Sequence, residues 1–158
     1  MSDASQEPAQ PVQRVALGSD HGGFEAKEFI KKYLQTLGYT VVDVGTGSRE
    51  SVDYPDLALK VARKVASGDC DRGIMIDGAG IGSCMVCNKV KGIRAAMCYD
   101  QKTAVNSREH NNANVLAVGG RILDRKRALE IVRAFLETPF AGDRHQRRID
   151  KITNLEKR

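Results

Sequence analysis

Tryptophan is absent from this 158-residue chain, and aromatic residues of any kind make up only 5% of it. Its basic stretches therefore have almost no aromatic interleaving, which argues against a nucleic-acid surface despite a net charge of +5 and a pI near 9.1. No apolar run approaches the roughly 18 residues of a membrane span, and the N-terminus has no signal-like apolar core. The expectation is a cytoplasmic protein that meets neither membrane nor nucleic acid. Cysteine is sparse, at positions 70, 84, 87 and 98. Cys84 and Cys87 have C-x-x-C spacing, but the second close Cys or His pair of a structural zinc site is missing. A buried, inert pair is the simpler reading beside zinc or redox chemistry, and no metal or cofactor is expected. Internal repeats and low-complexity segments are lacking too. That leaves one domain, long enough to bury roughly two-thirds of its unfolded surface.

What is present is an alternation of short apolar runs with amphipathic stretches. Residues 1–13 are polar with two prolines and are expected to form a disordered tail, with a single domain over 14–158. Strands are predicted at Val15–Leu17, Tyr39–Val44, Ile74–Ile76, Arg94–Cys98 and Val115–Val118. Helices are predicted near Phe24–Leu37, Leu57–Val65, Ser83–Lys89, Gln101–Ser107 and Lys126–Glu137, with a basic C-terminal one from Asp143 onward. The first shows the helical spacing directly, with Ile30, Tyr33, Leu34 and Leu37 on one face and Gly38 as its stop. Strands alternating with helices imply a Rossmann-like α/β fold, a three-layer αβα sandwich around a five-stranded parallel sheet.

One stretch organises the rest: Gly73-Ile-Met-Ile-Asp77-Gly78-Ala79-Gly80-Ile-Gly82-Ser83. A buried strand ends at a lone carboxylate, and glycines at every second position bring bare N–H groups close to a ligand. Asp77 is either the cap of the following helix or a site residue at the carboxyl end of a strand, where open α/β sheets place their chemistry. The spacing is not the dinucleotide fingerprint G-x-G-x-x-G. Two further strand ends are read as carrying polar sets, Asp20-His21 and His110-Asn111, and parallel strands are expected to deliver all three to one sheet edge. The three histidines are all expected in loops rich in glycine, asparagine or arginine.

In combination, several motifs resemble the type B ribose-5-phosphate isomerase family, which includes galactose-6-phosphate isomerase subunits. They are Gly18-Ser19-Asp20-His21, Asp53-Tyr54-Pro55, Gly78-x-Gly80-x-Gly82, Asn88-Lys89 and Gly92-Ile93-Arg94. Ser107-Arg108-x-His110-Asn111-x-x-Asn114, Gly120-Arg121 and Arg144-His145-x-x-Arg148 complete the set. The resemblance implies aldose–ketose isomerisation of a phosphosugar through an enediolate, without metal, as in pentose phosphate metabolism. It implies a homodimer or dimer of dimers whose sites are completed by the neighbouring subunit. By the match, His110 assists ring opening, and Asn111 with the N–H groups of Gly78, Ala79, Gly80, Gly82 and Ser83 steadies the enediolate. Arg121, Arg144, Arg148 and His21 hold the phosphate, while Asp20 and Tyr54 line the sugar.

The chain departs from that pattern at the base. The family carries a cysteine at the position of Asp77 or, in another branch, a glutamate at that of Ser83; Ala79 replaces a threonine or serine. Asp77 is the expected carbon base, because a carboxylate can do this chemistry and apolar burial strengthens a carboxylate base. The alternative is a catalytically inactive phosphosugar-binding or scaffold protein with the same fold. A Rossmann nucleotide module is a distant third, lacking the acidic residue that follows a true fingerprint.

Overall fold

The structure, a computed structural model, describes residues 11–157. Most of the expected tail, residues 1–10, lies outside the described residues. Its end is anchored: Val12 packs against the core, and the backbone N–H groups of Gln13 and Arg14 both donate to Asp71 Oδ2 at 2.9 Å.

Five strands form one parallel sheet: β1 Arg14–Ser19, β2 Thr40–Gly45, β3 Arg72–Asp77, β4 Ala95–Met97 and β5 Val115–Gly119. Their spatial order is β2-β1-β3-β5-β4. The order reverses between β1 and β3, so the loops after those two strands flank the crevice in which such sheets bind ligands. Among the described residues there are six helices: α1 Phe24–Thr36, α2 Tyr54–Ala66, α3 Ile81–Cys87, α4 Gln101–Glu109, α5 Arg125–Glu137 and α6 Arg144–Asn154. Local chemistry sets several of their ends. Pro55 opens the first turn of α2, Asp100 and Thr103 form a reciprocal capping box on α4, and Asp124 caps α5 through Arg127 N–H.

The sheet separates two apolar layers. One joins Leu17, Ile74, Ile76, Leu116 and Val118 to Ile30 and Leu34 of α1 and to Ile131 and Phe135 of α5. The other joins Ala16, Met75 and Val115 to Leu57, Val61 and Ala62 of α2 and Cys87 of α3. Burial of β3 on both faces is why its sequence reads as a continuous apolar run. The alternation of the strand then turns Ile76 to the α1 side and the next side chain, Asp77, to the α3 side. Among the described residues no helix is long and apolar enough to cross a membrane.

Candidate active site

Asp77 is the last residue of β3 and only 5% exposed. Its Oδ1 accepts the Gly80 N–H, and its Oδ2 accepts the Ser83 N–H at 3.1 Å and the Ser83 hydroxyl at 2.6 Å. The carboxylate thus caps the start of α3 and at the same time stands in the nest of donors that the glycine spacing creates. The two readings of Asp77 thus do not exclude each other. Gly80 makes the geometry possible, with φ at +81°.

The loop after β1 lies alongside. Asp20, nearly buried, accepts the Gly23 N–H at 3.0 Å and so caps a 3₁₀ turn over His21–Gly23. Val52 N–H donates to His21 Nδ1 at 3.2 Å, which leaves the ring proton on Nε2 as a free donor. Arg121, two residues past β5, reaches back across both loops. A Cβ on Gly22 would stand 3.2 Å from its guanidinium, and one on Gly78 would stand 3.7 Å from its Cδ. Tyr54, the first residue of α2, lays its ring on Gly82, where a Cβ would come within 2.5 Å. Asp20, His21, Tyr54, Arg121 and the loop from Asp77 to Ser83 therefore form one cluster at the carboxyl edge of the sheet.

His110 and Asn111 are not part of it. The expectation that every polar set reaches one edge fails here, because α4 carries the chain back to the opposite edge before β5 begins. Gly73 pairs with Val115 and Asp77 with Gly119, so the two edges are about 13 Å of strand apart. Gly73 N–H donates to Asn114 O at 2.9 Å, which fixes the residues before β5 at the far end. There, Asn106 Nδ2 lies 3.0 Å from His110 Nδ1; with the amide donating, the ring presents Nε2–H outward. His145 stacks on His110 with centroids 4.3 Å apart and an interplanar angle of 11°. It lies on α6 rather than in a loop, and it is 6% exposed. Burial first, then the neighbouring His110, Arg144 and Arg148, hold it below the usual imidazole value. Arg144 and Arg148, one turn apart on α6, are exposed on the same face beside this pair. A second cluster thus gathers His110, Asn111, Arg144 and Arg148 at the amino edge.

The turn carrying His110 and Asn111 is fastened by residues whose role the motif alone does not explain. Arg108, 3% exposed, donates to Asn112 Oδ1 at 2.9 Å, to Ala113 O at 2.5 Å and to Thr138 O at 3.2 Å. Arg94 Nε donates to Asn112 O at 3.0 Å, and Arg94 N–H to Asn114 Oδ1 at 2.8 Å. Asn112 sits at φ +45°, and these bonds hold it there. Burial and the neighbouring guanidinium groups of Arg72 and Arg94 push the Arg108 value down to about 10. Sequence spacing could reveal Arg108 as part of a motif, but not that it serves the backbone.

The cysteines are free thiols. Cys87 is buried in the α2–α3 layer and pushed up to about 12, chiefly by burial, while burial likewise raises Cys84. Among the described residues no group of His, Cys, Asp and Glu side chains gathers that could hold a metal ion.

Residues 15–152 match the ribose/galactose isomerase family. Ribose-5-phosphate isomerase B of Escherichia coli is 44% identical over 147 residues, covering 93% of this chain and 99% of that protein. The D-erythrulose-4-phosphate isomerase of Pectobacterium atrosepticum is 41% identical over 145 residues, covering 90% and 94%. The structure of ribose-5-phosphate isomerase B from Clostridium thermocellum superposes with a TM-score of 0.91 at 50% identity, covering 92% and 98%. On sequence and fold together, this chain belongs to the ribose/galactose isomerase family.

Proposed function

We propose that the protein is an aldose–ketose isomerase of a phosphosugar, acting on ribose 5-phosphate and ribulose 5-phosphate or on a related sugar phosphate. The observation that carries this reading is the buried Asp77 carboxylate among N–H donors at a strand end, beside a guanidinium and an imidazole that suit a phosphate. Asp77 takes the proton from the carbon beside the carbonyl, and the enediolate charge then falls on the N–H groups of Gly78 to Ser83. Asp20 and Tyr54 line the sugar. His21 and Arg121 bind phosphate from one side, with arginine forks of Arg144 and Arg148 from the other. His110 donates through Nε2 to open the furanose ring, and Asn111 steadies the intermediate.

Because the two clusters sit at opposite sheet edges, one chain does not complete the site. Pairing two copies about a two-fold axis brings the first cluster of each against the second cluster of its partner and forms two equivalent sites. The functional unit in this reading is a cytoplasmic homodimer, or a dimer of dimers, that needs no cofactor.

A second reading has one observation in its favour. Asp77 already holds the Gly80 and Ser83 donors, as in a site that binds phosphosugars without turning them over. Solvent deuterium exchange at the carbon beside the carbonyl decides between them. Ribose 5-phosphate, ribulose 5-phosphate and tetrose 4-phosphates are followed by NMR with wild type and Asp77→Asn. Exchange with wild type that is lost in Asp77→Asn supports the isomerase with Asp77 as base. Exchange surviving in the variant removes Asp77 from that role. Binding without exchange on any substrate establishes the binding protein.

A further inference from the structure

An enediolate requires N–H donors in the loop after β3, yet two of them, Gly80 and Ser83, point at Asp77. The Ser83 hydroxyl, itself wholly buried, adds a third bond to the same carboxylate at 2.6 Å. Both carboxylate oxygens are therefore engaged, by the charge-assisted bonds that a developing oxyanion would seek. Two like charges within a few ångströms disfavour each other, so carboxylate and oxyanion cannot hold these donors together. The conflict ends if the carboxylate becomes neutral as the oxyanion appears.

We propose that Gly80 N–H, Ser83 N–H and Ser83 Oγ–H serve two anions in turn, the Asp77 carboxylate at rest and the substrate's oxyanion once Asp77 has taken the proton. The inference rests on Asp77 being the carbon base. In the step, the C–H bond beside the carbonyl breaks and its proton joins a carboxylate oxygen of Asp77. The C–H electron pair becomes the carbon–carbon double bond, and the carbonyl π pair moves onto oxygen. One negative charge leaves Asp77 as one arises on the substrate, so the donors change partners while the charge of the site stays constant. Protonation of the neighbouring carbon by Asp77, with the hydroxyl proton passing between the two enediolate oxygens, returns the donors to the carboxylate. Ser83 has two roles in this scheme: it aims the base at rest and donates to the substrate's oxyanion after the transfer. Aspartate and serine then belong together at these positions, since the hydroxyl that holds the carboxylate is also the group it releases.

Calorimetry in buffers of different ionisation enthalpy tests the handover. The probes are 4-phosphoerythronate, whose carboxylate places a charge where the enediolate charge develops, and erythritol 4-phosphate, which lacks it. At about pH 8 the phosphate of both is dianionic, so their difference reports the protein alone. The expected result is about one more proton taken up per site with the aldonate than with the alcohol. In Asp77→Asn the extra proton disappears, and the preference for aldonate over alcohol rises by about tenfold or more, because no carboxylate competes. Ser83→Ala keeps the proton uptake and both backbone donors, with kcat falling about tenfold at nearly unchanged KM. Equal proton uptake for the two probes in wild type, or an unchanged preference in Asp77→Asn, overturns the handover. If instead deuterium exchange survives in Asp77→Asn while wild type takes up the extra proton, the base assignment fails and the shared donor set stands.

Discussion

His110 presents Nε2–H because Asn106 occupies Nδ1, and the flat face of His145 fixes the plane of its ring. In the proposed function a ring so oriented donates a proton to the ring oxygen of a furanose. Pentose 5-phosphates close such a ring through the oxygen on their fourth carbon, whereas in a tetrose 4-phosphate that oxygen carries the phosphate. His110→Asn is therefore expected to lower kcat/KM for ribose 5-phosphate by about 10²-fold or more, the usual scale of a lost general acid. For a tetrose 4-phosphate the loss should stay below about tenfold. Steady-state rates on the two substrates with one variant preparation give the comparison. Equal losses on both would show that His110 acts after the ring has opened.

At the scale of elements, the seam between α1 and β2 holds a buried lysine. Lys27 is 1% exposed, 2.5 Å from Asp43 Oδ2 and 2.9 Å from Glu28 Oε1, and Lys31 joins Asp43 at 2.8 Å. Burial pushes the Asp43 carboxyl up, but the bonds from Lys27, Lys31 and Gly45 N–H outweigh it and leave the value lowered. A carboxyl lowered in the fold stabilises fully above its unfolded value near 4, and that contribution is lost as the pH falls through the folded value. Asp43→Asn should cost about 3 kcal/mol at neutral pH by leaving a buried ammonium short of a partner. It should also flatten the dependence of stability on pH below about 4. Lys27→Met should be neutral to within about 1 kcal/mol, or stabilising, because it removes the buried charge altogether. Urea midpoints across pH test all three. The seam also shows what the chain discloses in advance. The elements were legible because β3 and β5 are apolar throughout and Gly38 and Pro55 mark helix ends, each a local property. Lys27 reads locally as a solvated helix residue, and only the packing of α1 on β2 turns it inward. Likewise the carboxylate and glycines after β3 announced a site, but the partners of Asp77 depend on how tightly α3 begins. His110 and Asn111 were expected beside Asp77 because a polar loop next to a strand looks the same at either end. Which end it occupies follows from the direction of α4.

The whole molecule carries both clusters, each at its own sheet edge, and this has a consequence that no single-chain variant can show. In the proposed function Asp77→Asn disables the carboxyl-edge cluster of every copy, and Arg144→Glu turns the proposed phosphate grip at the amino edge into a repulsion. Each variant alone should be nearly inactive in the proposed assembly, since every site draws on both clusters. When the two variant chains are unfolded together in equal amounts and refolded, about half of the dimers pair one of each by chance. In such a mixed dimer one site combines the intact Asp77 of one chain with the intact Arg144 of the other, while the second site collects both lesions. Half the sites in half the dimers are then native, and activity should return to about a quarter of the wild-type value. Rates on ribose 5-phosphate, read before and after mixed refolding, provide the measurement, with size-exclusion chromatography confirming the dimer. A site contained within one chain predicts no recovery, because every chain in the mixture carries a lesion. Recovery near a quarter is specific to sites shared across a two-fold axis, and it is reached without any new contact having to be seen.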